Sequence, residues 1–216
     1  MRMAHFHPSQ IKLYFTRRSF LKQRLLSCQQ YDESDFAKNG QTPEAQKFFR
    51  FLQSTERVSA LAQVQKPKVV MLEKALNGDD CQIGMPNGDG MARIYYSARL
   101  ADIFRDGVLD AITAHEIAHF KGIKSHSKGD AYAAKLMGSA KGLMEYFQFK
   151  IEEHLKEVPR GFVHRCIVAV NTGSQEWMPK HALGRLAARL IFAIESGHPP
   201  LVKRIRALER LEKEIA

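Results

Sequence analysis

The chain has 216 residues, which is enough for one domain with a full hydrophobic core, or for one domain that carries a helical extension. Hydrophobic residues make up 44% and charged residues 26%, as is typical of a soluble globular protein, and no stretch is long and apolar enough for a transmembrane helix. The three widely spaced cysteines exclude a disulfide framework and a thiolate zinc site, which favours a reducing compartment and a cytoplasmic location.

The net charge is +10 and the isoelectric point is about 9.6, values that are compatible with acidic partners such as nucleic acid or anionic lipid headgroups. Lysine and arginine occur in the N-terminal segment, in residues 121–128 and in residues 203–210. Because the charge is spread along the chain, most of it is interpreted as solvated surface. The alternative is that the basic surface contacts an anionic membrane surface or nucleic acid. Contact with a membrane would make the protein membrane-peripheral.

The first 65 residues predict a helical extension. Residues 11–30 and 43–64 have the apolar spacing of helices, and the polar stretch 32–42 between them ends at Pro43, a favourable helix start. Residues 16–22 resemble a twin-arginine export signal, but charged residues interrupt the apolar core that such a signal needs. We therefore interpret this segment as a basic amphipathic helix.

Three short β-like runs follow, over residues 68–72, 81–85 and 92–97, with Asn-Gly and Asp-rich turns between them. They predict a small sheet with hairpin character. Nearly everything after residue 98 has helical spacing, with loops predicted near 122–129 and 197–200, among others. Residues 66–216 are therefore predicted to form one α+β domain that is mainly α.

The sequence HEIAH at residues 115–119 indicates a metal site. A cap at Asp106 and the stop at Lys121-Gly122 predict one helix over 106–121, on which His115 and His119 project from the same face. Two imidazoles so placed can hold one zinc ion. Glu116 then lies beside the open position, able to take a proton from a zinc-bound water and pass it to a leaving amine.

A chance match is the alternative, because the pattern HExxH fixes only three positions. The helix is largely apolar, however, with Val108, Ile112 and Ile117 among its residues. A buried helix that carries histidine and glutamate needs these groups paired or bound to metal, to offset the cost of removing them from water. The apolar context therefore favours a zinc site.

The third ligand is not given by the pattern HExxHxxGxxH. Gly122 occupies the position of its glycine, but Ser125 stands where its last histidine belongs, and His126 comes one residue late. Another pattern fits better. In metallopeptidases of the HtpX, CAAX prenyl protease and mitochondrial OMA type, a second helix that begins Glu-x-x-x-Asp follows HExxH. Residues 126–138 resemble that helix, with His126 in the place of the ligand glutamate and Asp130 in the place of the aspartate.

The resemblance extends on both sides of HEIAH. Residues 94–115 resemble the strand, helix and lead-in of the family, and residues 195–208 resemble its His-Pro-Pro segment and the following Arg-Ile helix. Together these stretches cover residues 68–212 in the family's order. The resemblance implies a zincin-like, gluzincin-like metallopeptidase domain in a soluble member of the family, a Zn²⁺ cofactor, and a protein or peptide substrate along a sheet edge.

The resemblance implies that His126 is the third zinc ligand and that Asp130 orients a ligand. Neutral imidazole binds zinc as readily as carboxylate does. The alternatives are that Asp130 is itself the ligand, or that His126 is an ordinary loop histidine. Glu145, Glu152 and Glu153 on the next helical stretch are lesser candidates, better interpreted as solvated residues.

Two residues near the end of the chain have two interpretations each. His198 precedes Pro199-Pro200 and either occupies a helix cap or, by resemblance, hydrogen-bonds the oxyanion of the tetrahedral intermediate. Arg204 is either a solvated charge or, by resemblance, packs near Asp130, where a partly buried guanidinium needs a carboxylate partner.

We therefore predict a zinc-dependent endopeptidase with Glu116 as general base. One alternative is a SprT-like protease that acts on DNA-associated proteins, and the other is a non-catalytic, metal-stabilised basic binding module. The chain departs from the family pattern in having no membrane helix, in His126, and in having two candidates, Asn77 and Asn87, for the asparagine that follows the edge strand.

Overall fold

The computed structural model describes residues 29–36, 41–74, 80–84, 91–159, 161–195 and 198–215. The chain divides into two compact units, which are treated separately below. The first comprises Met1–Leu52 with Lys68–Ile103, and the second comprises Gln53–Pro67 with Phe104–Ala216. The predicted boundary between residues 65 and 66 does not coincide with this division. The division into an N-terminal extension and a metallopeptidase domain stays a prediction.

The first unit contains a four-stranded mixed sheet. Strand order is β1-β2-β4-β3, with β2 parallel to β4 and the other neighbours antiparallel. The three predicted β-like runs are confirmed, and so is the hairpin character, in the antiparallel pair of β3 and β4. The strands are β1 (Gln30–Tyr31), β2 (Lys68–Leu72), β3 (Cys81–Gly84) and β4 (Arg93–Ser97).

Residues 29–36 differ from the prediction. We expected a helix through residue 30 and then a polar break, but the chain forms β1 and a short helix α1 (Glu33–Phe36). The backbone N–H of Ser34 donates to Oδ1 of Asp32 at 2.8 Å, and this contact starts the turn. Phe36 is buried, and its ring lies 5.1 Å from that of Phe48. Tertiary packing thus orders a segment whose polar composition alone indicates a loop. The predicted helix before residue 29 lies outside the described residues.

The second predicted N-terminal helix is confirmed as α2 (Pro43–Ala62), which ends two residues earlier than expected. It ends because Gln63 takes a left-handed backbone conformation, with φ of 53°. A short helix α3 (Arg99–Ile103) follows β4.

The second unit is helical among its described residues. Its core is formed by small and aliphatic side chains and Phe147 around α4 (Asp106–Phe120), which is buried on nearly all sides. The mainly helical α+β class with a small sheet is therefore confirmed, and within the described residues no helix is both long and apolar enough to cross a membrane. The helices are α4 (Asp106–Phe120), α5 (His126–Met137), α6 (Lys141–Lys156), α7 (Gly161–Thr172), α8 (Ala182–Glu195) and α9 (Leu201–Ile215).

The start of α4 and the loop after it need correction. Asp106 is the first helical residue and not the cap, because extended Arg105 precedes it, without a side-chain capping bond. The predicted stop at Gly122 is confirmed by its left-handed φ of 86°. The loop predicted over 122–129 is shorter, since α5 already begins at His126.

Candidate metal centre

Helix α4 places its two histidines one turn apart. The Nε2 atoms of His115 and His119 are 3.1 Å from each other, and their rings are perpendicular. This follows from the helical repeat, which brings residues i and i+4 to the same face. The expectation that HEIAH presents both imidazoles together is therefore met in the geometry.

The turn after α4 orients one of these rings. The backbone N–H groups of Gly122 and Ile123 donate to the carbonyls of His119 and Ala118, at 2.9 Å and 3.0 Å. These two hydrogen bonds form a Schellman-type helix end. Gly122 adopts the left-handed conformation that this end requires without steric strain, because it has no Cβ atom. It turns the carbonyl oxygen of Ile123 back toward the helix, 2.6 Å from Nδ1 of His119.

Helix α5 brings the third histidine to the pair. His126 is its first residue, and its Nδ1 lies 3.2 Å from the Nε2 atoms of both His115 and His119. A close approach of the two helices makes this possible. A Cβ atom on Gly129 would lie only 3.2 Å from Cε1 of His115, so a larger residue there would press on that ring.

The three nitrogen atoms form a nearly equilateral triangle that fits one metal ion. Zinc at about 2.0 to 2.1 Å from each nitrogen of a tetrahedral site separates the nitrogens by about 3.3 to 3.4 Å. The observed 3.1 to 3.2 Å differ from this by a few tenths of an ångström. Among the described residues, His115, His119 and His126 are the one group of three potential ligand residues that could hold an ion.

The tautomers of the two α4 histidines favour a cation at this position. A carbonyl oxygen only accepts hydrogen bonds, so Nδ1 of His119 carries the proton toward Ile123 and leaves a lone pair on Nε2. Nδ1 of His115 faces the Asp130 carboxylate at 2.8 Å, though at an angle far from ideal. A carboxylate also only accepts hydrogen bonds, so Nδ1 of His115 carries the proton and its Nε2 keeps a lone pair. Two lone pairs thus face each other 3.1 Å apart, an arrangement that a bound cation stabilises.

Burial favours the neutral form of His115 and His126, which is the form that binds metals. It lowers the pKa of His115, against the opposing effect of Asp130. It also lowers the pKa of His126 to about 3, with a further contribution from His198. His115 is buried, whereas His119 and His126 are half-buried, so one side of the cluster is open to water.

Asp130 and Arg204 form a buried bidentate pair behind His115. The guanidinium donates from Nε to Oδ2 at 2.7 Å and from Nη2 to Oδ1 at 2.6 Å. Arg204 is 8% exposed, and its guanidinium carbon lies 4.0 Å from the centroid of the Phe147 ring. The contact that the resemblance implied is therefore present, and the alternative of a solvated Arg204 is wrong. Burial alone would raise the pKa of Asp130, but the hydrogen bonds from Arg204 and His115 lower it overall.

The other carboxylates proposed as ligands lie outside this cluster. Both oxygens of Asp130 accept hydrogen bonds from Arg204, and its Oδ1 also faces His115. The Asp130 carboxylate therefore orients the ligand His115 and is not itself in the cluster. Glu145 pairs with Arg105 at 2.8 Å, Glu153 pairs with Lys150 at 3.3 Å, and Glu152 is exposed.

His198 lies beside the cluster. Its ring centroid is 4.2 Å from that of His126, and the residue is exposed. It does not cap α9, because that helix begins at Leu201 and Pro200 occupies the position before it. The side chain that fills the capping role is Asn171, whose Oδ1 accepts from the backbone N–H of Leu201 at 3.0 Å. The capping interpretation of His198 is therefore wrong.

Glu116 follows His115 on α4 and is half-buried. Its role as a general base stays a prediction, as does the identity of the metal.

Three features of the site were missed in the sequence: the close approach at Gly129, the carbonyl of Ile123 and the ring of Phe147 over Arg204. The position of the Ile123 carbonyl could have been predicted from the helix stop at Gly122, because a Schellman end directs the following carbonyl back along the helix. The other two depend on helix packing, and no local pattern indicates them.

Comparison of the chain with protein-family models, with characterised proteins and with solved structures finds no match.

Proposed function

We propose that His115, His119 and His126 bind one Zn²⁺ ion and that the protein is a zinc-dependent endopeptidase. The observation that carries the proposal is the triangle of three imidazole nitrogens, 3.1 to 3.2 Å apart, two of which belong to the helix that also holds Glu116. Three protein ligands with one open side are typical of catalytic zinc sites, whereas structural sites use four protein ligands.

The metal would supply Lewis-acid polarisation of a water and of the peptide carbonyl. Glu116 directly follows the ligand His115 on α4, and we assign to its carboxylate the role of accepting the proton of the attacking water and returning it to the leaving amine. A glutamate has no role in holding the ion if three histidines suffice. Its presence therefore supports an enzyme over a binding module.

The residues around the ligands support this chemistry by fixing the rings. Asp130 and the Ile123 carbonyl hold the hydrogen-bonding nitrogens of His115 and His119, which leaves the other nitrogen of each ring free for the metal. His198 is exposed beside His126, and we assign to it the role of donating a hydrogen bond to the oxyanion of the tetrahedral intermediate.

The resemblance to HtpX, CAAX prenyl protease and OMA-type peptidases supports the same proposal. Its specific expectation of a carboxylate-arginine pair behind the metal ligands agrees with the Asp130–Arg204 contact. A SprT-like protease and a metal-stabilised binding module are the alternatives that the experiment must separate.

Metal analysis and peptidase assays on the same preparations test the proposal. Wild type should contain about one zinc per chain and cleave casein or a quenched fluorescent peptide. Glu116→Gln should retain the zinc and the thermal transition but lose activity by about 100-fold or more, since the amide cannot accept a proton. Glu152→Gln, a change of the same kind at an exposed position on α6, should behave as wild type.

The possible outcomes distinguish the three functions. Zinc without cleavage in the wild type would support the binding module, and cleavage that requires DNA would support the SprT-like alternative. No zinc in the wild type, or near wild-type activity in Glu116→Gln, would refute the proposal.

A further inference from the structure

Helix α8 presents an unusual apolar stripe to solvent. Leu183, Leu186, Leu190 and Ile194 are 81%, 54%, 57% and 76% exposed. Spacings of three, four and four residues place them on one face of the helix, along a line of about 16 Å. The opposite face holds the buried residues Ala188 and Phe192, which fix α8 to the protein. The stripe is thus a stable surface feature and not the consequence of a detached helix.

The charges next to this stripe are basic. Arg185 and Arg189 are both exposed and lie on the flank of α8 between the stripe and the buried face, with Arg189 nearer the stripe. Arg185 donates to the carbonyl of Lys180, another exposed basic residue. In the sequence of α8 the only acidic residue is Glu195, at its end. An aliphatic face with arginine at its margin is the pattern of helices that lie in the surface of an anionic membrane.

A second copy of the chain fits this surface less well. Four partly exposed aliphatic side chains offer roughly a few hundred Å², whereas a stable dimer buries about 800 Å² on each partner. The sequence of α8 would also bring only one carboxylate, that of Glu195 at its end, against the two arginines. Nucleic acid would satisfy the arginines but would leave the aliphatic side chains in water.

We propose that the exposed stripe of α8 binds anionic lipid bilayers, with the four aliphatic side chains in the acyl region and the two arginines at the headgroups. This surface is separate from the histidine cluster, so the proposal does not depend on peptidase activity. It assigns the membrane contact to a defined helix, in place of the general basic surface.

Vesicle flotation with the full chain tests this proposal. Wild type should float with vesicles of phosphatidylcholine with about 30% phosphatidylglycerol, float poorly with pure phosphatidylcholine, and bind less as salt rises from about 0.1 to 0.5 M. The double variant Leu186→Asp/Leu190→Asp should reduce the bound fraction about tenfold or more. Leu61→Asp is the matched control, since Leu61 is 56% exposed on α2, and it should bind as wild type.

A second variant tests the proposal even if Leu186→Asp/Leu190→Asp does not fold. Arg185→Gln/Arg189→Gln keeps the apolar stripe and should weaken binding to anionic vesicles by about tenfold while leaving the thermal transition unchanged. Wild type that does not float, equal binding to neutral vesicles, or retained binding by the α8 aspartate variant would each overturn the proposal. A wild-type dimer that the aspartate variant converts to a monomer in light scattering, without vesicle binding, would assign the stripe to a second copy.

Discussion

Helices α4 and α8 both have strongly apolar sequences, yet they differ in their relation to water. In α4 ten of the 15 residues are buried, among them the polar residues Asp110, Thr113 and His115. Among the described side chains of α8 only Ala188 and Phe192 are buried, and the four aliphatic side chains of the stripe face solvent. Apolar composition thus indicates a core helix in one case and a binding surface in the other.

The enclosed helix has a partner for each polar side chain that it buries. Asp110 accepts two hydrogen bonds from Arg57, at 2.8 and 3.1 Å, and Thr113 contacts Ser54 at 2.9 Å. Nδ1 of His115 faces the Asp130 carboxylate at 2.8 Å, though with less favourable hydrogen-bond geometry. Because an unpaired buried polar group is costly, the polar residues of α4 specify what must pack around it. Helix α8 imposes no such demand, so substitutions should affect the two helices very differently.

The largest effect is expected where a charge pair supports α4. Arg204→Ala leaves Asp130 buried without its partner and should lower the free energy of unfolding by about 3 to 5 kcal/mol. Lys203→Ala, at the exposed neighbouring position, should change it by less than about 0.5 kcal/mol. Urea denaturation with a chelator present measures both without a contribution from metal binding. Small and equal losses would show that the pair is not needed by the fold.

The second prediction concerns the metal ligands on α4 and α5. His126→Ala should weaken zinc binding by more than about 100-fold, since two histidines provide too few donors. Asp130→Asn should retain stoichiometric zinc with an affinity about 10 to 100-fold lower, as for a residue that orients a ligand. Competition with a chromophoric chelator gives both affinities, and exposed His181→Ala serves as a control. The reverse ranking would make Asp130 the ligand.

The sequence predicted the parts of the site that depend on local structure. His115 and His119 follow from the helical repeat of α4, and the stop at Gly122 follows from its backbone freedom. The resemblance supplied His126 and the Arg204–Asp130 pair. The two residues of that pair are 74 positions apart in the sequence, so no local pattern links them. Strands β2, β3 and β4 were predicted from short β-like runs bounded by Asn-Gly and Asp-rich turns, whereas β1 was expected to be the end of a helix. The exposed stripe of α8 was not foreseen, since the same apolar spacing also occurs on a helix that packs into a core.

The third prediction tests how tightly α4 is enclosed by α6. A Cβ atom on Gly142 of α6 would lie 2.7 Å from Cβ of Ala111 and 2.9 Å from the carbonyl oxygen of Gly107. Gly142→Ala should therefore destabilise the protein by about 1 to 3 kcal/mol, since backbone must move to relieve the overlap. Gly107→Ala meets nothing within 4 Å and should be neutral or stabilising by up to about 1 kcal/mol. A neutral Gly142→Ala would mean that the helices separate easily.

The smallest effect is expected on α8, and it gives the most direct test of the contrast between the two helices. Leu183 is 81% exposed, so Leu183→Ala removes few contacts and should change the free energy of unfolding by less than about 0.5 kcal/mol. Leu109 on α4 is fully buried, and the same substitution there should cost about 2 to 5 kcal/mol through lost burial and the cavity that remains. Both values come from one series of urea titrations. A loss above about 1.5 kcal/mol for Leu183→Ala would mean that this side chain is covered in solution, by another part of the chain or by a second copy. Repeating the titration over about a tenfold range of protein concentration separates these two cases, because only an intermolecular contact makes the stability depend on concentration.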